Sequence, residues 1–191
     1  MKFFAPKFQY NNAIVRKSGS QTLFNVFVPL GSKKFPAMVI KFYNQKMSPE
    51  ALIQYVASYQ YFFSQNSYYE LELSDKIIVM KPANILYFSI YDFTLGKISR
   101  KIPIIVQESI DENYSISDYL ERKDLSRYTK MMTKQGFTLD SYESNWKIKS
   151  IAERDGKSIY YCHYIDIFQS TEYEKIRYLI NKIMVELEKS K

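Results

Sequence analysis

The chain has 191 residues but only one cysteine, Cys162, and one histidine, His163. An intramolecular disulfide is therefore excluded, and a thiolate zinc site would need ligands of other kinds. A single imidazole also removes every mechanism that needs two. With no disulfide framework to build, a reducing, cytoplasmic setting is the expectation. Glycine and proline are scarce, at 5 and 6 residues, so each one carries local information. Long apolar runs are missing too. The longest, such as residues 102–106, are strand-sized and far short of the ~20 residues of a spanning helix. Met1-Lys2-Phe3-Phe4 runs straight into Pro6 and Lys7, which leaves no apolar core for a signal peptide. There is no 20–50-residue repeat and no low-complexity linker.

What is present is aromatic and basic. Tyr and Phe number 18 and 13, enough burial potential to offset chain entropy and exclude disorder. Lys and Arg outnumber Asp and Glu by 27 to 20, a net charge of +7 that admits phosphate-bearing partners without naming one. The length suits one domain or two small joined lobes.

Ala13-Ile14-Val15, Leu23-Phe24-Asn25-Val26-Phe27-Val28 and Ala37-Met38-Val39-Ile40-Lys41-Phe42-Tyr43 are β-rich runs divided by turn clusters at 17–20 and 31–34, a meander pattern. Ser48-Pro49-Glu50 is a helix start: a capping hydroxyl, a proline at the first turn and an acid at the positive end of the dipole. The helix is predicted to reach about residue 65, with Leu52, Tyr55, Val56, Tyr59 and Phe63 as its apolar stripe. Strands follow at 77–80, 85–90 and 102–106. The second half turns helical at 115–120 and 123–135, with Gly136 as a C-cap. A hairpin is then predicted around Asp155-Gly156, and a last helix over 171–189. The fold class is α+β, divided into 1–108, strand-rich with one helix, and 109–191, helix-rich with one hairpin.

Three positions have metal and proton chemistry available to them. Asp140 and Asn145 form a D-x4-N pair between a helix and the hairpin, and Asp166 ends the hairpin's second strand. One carboxylate and one amide oxygen can hold Mg²⁺, which takes oxygen ligands and keeps waters and phosphate oxygens for the rest. Asp140 is then left to orient a hydroxyl. Lys41 interrupts an apolar strand. It is either an edge-strand lysine whose head reaches water or a lysine that holds phosphate.

These residues, in this order, resemble the protein-kinase-like superfamily. Lys17-Ser18-Gly19-Ser20 resembles a reduced nucleotide-covering loop. Ala37-Met38-Val39-Ile40-Lys41 is similar to the V-A-I-K strand, and Gln107-Glu108-Ser109-Ile110 resembles the adenine-receiving hinge. Asp140 and Asn145 match the Asp and Asn of H-R-D-x4-N, and Asp166 matches the Asp of D-F-G. The resemblance implies a two-lobed fold with a β-rich N-lobe and a truncated helical C-lobe. It also implies ATP and Mg²⁺ as cofactors, with Gly19, Lys41, Gln107 and Glu108 at the nucleotide and Asn145 and Asp166 at the metal. Asp140 would be the catalytic carboxylate, and Glu50 the candidate partner of Lys41. The chain departs from the pattern in several places. His and Arg are absent before Asp140, Gly is absent from Asp166-Ile167-Phe168, and Glu50 is the only acid between 48 and 69. Only 25 residues follow Asp166, so the comparison is with minimal atypical kinases, such as small archaeal and lipopolysaccharide-kinase-like groups.

Three functions follow from these features: a small ATP-dependent phosphotransferase, a pseudokinase or adaptor that engages a protein partner, or a basic nucleic-acid-binding module that uses the positive charge and exposed tyrosines. Cys162 and His163 alternate across a strand and do not form a metal pair.

Overall fold

The computed structural model describes residues 14–16, 22–28, 37–43, 47–65, 69–95, 98–111 and 113–189. The chain forms two compact units. The first takes Met1–Ile53, Asn84–Ser109 and Met184–Lys191, and the second takes Gln54–Ala83 and Ile110–Ile183.

In the first unit the β-branched runs become β1 (Ile14–Arg16), β2 (Thr22–Val28) and β3 (Met38–Tyr43), joined by β6 (Ile85–Leu95) and β7 (Ile98–Glu108). They make one antiparallel sheet in the order β1-β2-β3-β7-β6. The pleat sends alternate residues to opposite faces. Met38, Ile40, Ile104 and Val106 form a buried cluster on one face, with Phe42, Tyr87 and Ile102 packed against it. Val39, Tyr43, Ile105 and Gln107 alternate with these and are buried as well. A central strand pair buried on both sides explains why its sequence runs nearly continuously apolar. Helix α1 (Pro49–Ser64) begins as its sequence demands: the Ser48 hydroxyl accepts the Ala51 N–H at 3.2 Å.

The second unit holds a four-stranded mixed sheet, β4-β5-β10-β9, from β4 (Tyr69–Glu72), β5 (Lys76–Pro82), β9 (Trp146–Arg154) and β10 (Lys157–Tyr164). Asp155 and Gly156 both take positive φ, 53° and 75°, which makes the tight β9/β10 turn that Asp-Gly signals. β5 and β10 run parallel, with Lys76 opposite Ser158 and Pro82 opposite Tyr164. Thus β4 and β5, which lie within 1–108, pair into the same sheet as the hairpin of the second half. On one face Ile77, Val79 and Ile159 form a buried strip. Ion pairs from Arg154 to Glu70 (2.7 Å) and from Lys157 to Glu72 join the hairpin to β4, the far strand of this sheet. Two long basic side chains can cover apolar surface with their stems while their heads stay in water.

The other face packs aromatic rings. Phe62 of α1 lies 5.3 Å from Phe137 and 5.7 Å from Phe168, and Trp146 lies 5.5 Å from Tyr128. Tyr128 belongs to α3 (Arg122–Lys134), which follows the short α2 (Ile116–Tyr119). Gly136 closes α3 at φ +84°. The last helix, α4 (Tyr173–Glu188), buries Ile176 and Ile183 and leaves Tyr173 and Met184 exposed. Among the described residues no helix is long and apolar enough to cross a membrane. The architecture is mixed α+β.

Candidate functional site

The second unit gathers Asp140, Asn145 and Asp166 around one buried phenol. Two short segments do this. Residues 139–145 connect β8 (Phe137–Thr138) to β9, and residues 165–168 connect β10 to β11 (Gln169–Ser170). Both segments are closed at both ends. β8 and β11 pair, with Thr138 opposite Gln169. Trp146 pairs with Tyr164, and the Ile165 N–H extends that ladder to the Asn145 carbonyl at 2.9 Å. The clasp is anchored further by the buried Ser58 hydroxyl of α1, which accepts the Ser170 N–H at 2.8 Å, and by the Gly136 carbonyl, which accepts the Thr171 N–H.

Tyr164 supplies the centre. Its hydroxyl oxygen accepts the Asp140 N–H at 2.9 Å and lies 3.5 Å from the Ile167 carbonyl. Its ring is held edge-on by Trp146 and Phe168 at 5.2 and 6.4 Å. Burial pushes the phenol far above its usual range. The Asp140 N–H hydrogen bond opposes that, the Asp166 and Asp140 carboxylates push it further up, and a hydrogen bond to the Asn145 side chain offsets part of this. The hydroxyl therefore stays neutral and keeps its proton as a donor. Asp140 is pinned by its backbone at both ends, because its carbonyl accepts the Trp146 indole N–H at 3.0 Å. Its carboxylate accepts the Tyr142 N–H at 3.0 Å and is exposed. Asn145 and Asp166 are half-buried.

The donor set is two carboxylates and one amide, all hard oxygens, which suits Mg²⁺ better than zinc or copper. Among the described residues no group of three or more His, Cys, Asp or Glu side chains is placed to share a metal. Mg²⁺ needs fewer protein ligands than that, since one or two carboxylates with water and phosphate oxygens suffice.

The remaining site candidates lie in the first unit. Lys41 sits on β3 between Asn25 of β2 and Ile105 of β7. β3 is thus a central strand, which overturns the edge-strand alternative, and Lys41 is half-buried beside buried Val39 and Tyr43. Glu108 ends β7. Its carboxylate accepts the Asn84 N–H at 2.8 Å, its own N–H bonds the Asn84 carbonyl, and the Ser109 N–H bonds the Ala37 carbonyl. Gln107 is buried between Val39 and Ile85. Glu50 lies exposed in the first turn of α1. Its own backbone N–H and the Ser48 hydroxyl lower its pKa, with a smaller contribution from Lys101. Gly19 lies outside the described residues.

Sequence reasoning found the three polar groups and missed Tyr164, which organises them. The available signal was a tyrosine at the end of an apolar strand, since a buried phenol seeks a partner for its hydroxyl. No family model matches the chain, and no curated protein matches it.

Proposed function

We propose that the protein is a small cytoplasmic phosphotransferase of kinase-like type that uses Mg-ATP. The observation that carries this reading is that the Tyr164 hydroxyl accepts the Asp140 N–H and feels both the Asn145 side chain and the Asp166 charge, so the three residues share one neighbourhood. In this reading Asp140 orients the acceptor hydroxyl, its backbone fixed at both N–H and carbonyl while its carboxylate stays open to solvent. Asn145 and Asp166 hold Mg²⁺, which supplies charge neutralisation at the transferring phosphoryl group when bound. Lys41 is the residue that the resemblance assigns to the α- and β-phosphates. The chemistry is chiefly positioning, so a clasped pair of short loops suits it.

Calorimetric titration with ATP tests the reading. Wild-type protein binds ATP in Mg²⁺ and loses it in excess chelator, and Asp166→Ala abolishes the Mg²⁺-dependent part. Absence of binding in wild-type protein refutes the proposal.

A non-catalytic version, a pseudokinase or adaptor, is favoured by a specific observation. The Glu108 and Ser109 N–H groups, which the resemblance places at the adenine, are already committed to Asn84 and Ala37. Glu50 is likewise engaged by Ser48 at the helix start. This version predicts no phosphate transfer to protein or small-molecule acceptors. Autophosphorylation that disappears in Asp140→Ala rules it out.

A further inference from the structure

The outward face of α3 carries charge of one sign. At about 100° per residue, Lys123, Arg127, Lys130 and Lys134 fall within an arc of roughly 60°, and all four are exposed. The only acid in the helix, Asp124, points to the buried side, where it bonds Lys76 and the Glu121 N–H. Lys123 is paired with Glu121 at 2.8 Å. Among the described residues Arg127, Lys130 and Lys134 form no ion pair. Three uncompensated cations on one helix face repel one another, and a bound polyanion would relieve that repulsion.

The spacing indicates which polyanion. At a rise of 1.5 Å per residue the four charges span about 16 Å. Within a duplex each strand presents a phosphate every ~3.4 Å of axis, and an unstacked single strand spaces them more widely, so each of the four charges along the stripe can meet a separate phosphate. At its N-terminal end the Arg122 guanidinium lies over the Tyr142 ring, 5.0 Å from the centroid. Tyr142 is 57% exposed, and the ring face away from Arg122 offers a platform on which a base can stack. The Tyr142 N–H is bonded to the Asp140 carboxylate at 3.0 Å, so the platform adjoins the candidate site. Large apolar residues are absent from the exposed side of α3, so it has nothing to insert into a lipid interface. An acidic protein surface would satisfy the cations but leave the exposed ring without a role.

We propose that the outward face of α3, with the Arg122–Tyr142 pair at its start, docks the backbone of single-stranded nucleic acid. This function stands apart from phosphate transfer and does not require it.

The test is fluorescence anisotropy of full-length protein with a labelled 20-nucleotide oligouridylate over a salt series. Four phosphate contacts give a log–log salt slope of about −3, at ~0.7 per contact. The triple variant Arg127→Gln, Lys130→Gln, Lys134→Gln flattens the slope by about 2 units. Tyr142→Ala weakens binding about tenfold at an unchanged slope. A control triple on α4, Lys175→Gln, Arg177→Gln, Lys182→Gln, removes the same formal charge and leaves the slope as in wild type. Four results overturn the proposal: no binding at low salt, equal flattening by both triples, no effect of Tyr142→Ala, or competition by polyglutamate as effective as that by RNA. All variants are surface changes, and unaltered circular dichroism confirms that each is folded.

Discussion

Replacing Asp124 by Asn tests the polar anchor of the second unit. Asp124 is 2% exposed, and its Oδ2 accepts both the Lys76 ammonium and the Glu121 N–H at 3.2 Å. Removing one partner of a buried ion pair costs about 3–5 kcal/mol. Two features reduce that here. The Lys76 side chain keeps 14% exposure, with Asp75 3.7 Å away as a second acceptor. Asn can also still accept the capping N–H. The expected loss for Asp124→Asn is therefore about 2–3 kcal/mol, and Asp124→Ala, which removes the cap as well, adds ~1 kcal/mol. Urea unfolding followed by fluorescence reads this directly. Trp146 is the only tryptophan, it is fully buried on β9, and it packs edge-on against Tyr128, which shares α3 with Asp124. The pH dependence adds a second readout. Burial opposes the Lys76 charge, but the hydrogen bond and charge of Asp124 outweigh it and raise its pKa above the ordinary 10.5. A lysine pKa raised by folding stabilises fully below the unfolded value and ceases to as pH climbs through the folded one. The gap between wild type and Asp124→Asn should therefore hold at neutral pH and narrow above 10.5. A loss under ~0.5 kcal/mol, or no coupling with Lys76→Met in a double-mutant cycle, refutes the reasoning.

Three further outcomes are expected. Tyr164→Phe keeps the ring packing but strands the Asp140 N–H; stability falls by about 1–2 kcal/mol in urea, and on the phosphotransferase reading Mg-ATP affinity falls on the order of tenfold by calorimetry. Cys162 is 1% exposed and burial pushes its thiol up to about 12, so a disulfide-exchange reagent at pH 8 modifies it only after urea unfolds the chain. Gly136→Ala sets a Cβ 2.8 Å from the Glu172 side chain at φ +84°, and the melting temperature should drop by several degrees, about 1–2 kcal/mol, in a calorimetric scan.

Local signals carried much of the fold. Ser48, Gly136 and Asp155-Gly156 punctuate the chain as capping and turn chemistry require, and β3, β7, α1 and α3 follow their apolar patterns, whereas α4 buries only Ile176 and Ile183. The pairing of β5 with β10 was not legible, because an apolar run such as Ile77-Ile78-Val79-Met80 announces burial on two faces but not the identity of its neighbour. β8 and β11 are two residues each, too short for any periodicity. As residue types, Asp and Asn are ordinary at turns and strand ends; Asp140, Asn145 and Asp166 were visible through their order and spacing, which resemble a known motif set. Tyr164 was not, since one tyrosine among 18 carries no compositional mark and its role rests on contacts from Asp140, Trp146 and Phe168.

The parallel ladder also constrains the order of events during synthesis. Lys76 meets Ser158 across roughly eighty residues of intervening chain, a closure that loop entropy makes slow. β4 and β5 can pair with each other as soon as they emerge, but the other edge of β5, with its run of isoleucine, valine and methionine, waits for β10 to be made. A ribosome that paused between these points would hold an exposed, sticky strand edge in solution. The nascent chain, rather than the finished protein, is therefore where this strand edge is most open to misassembly.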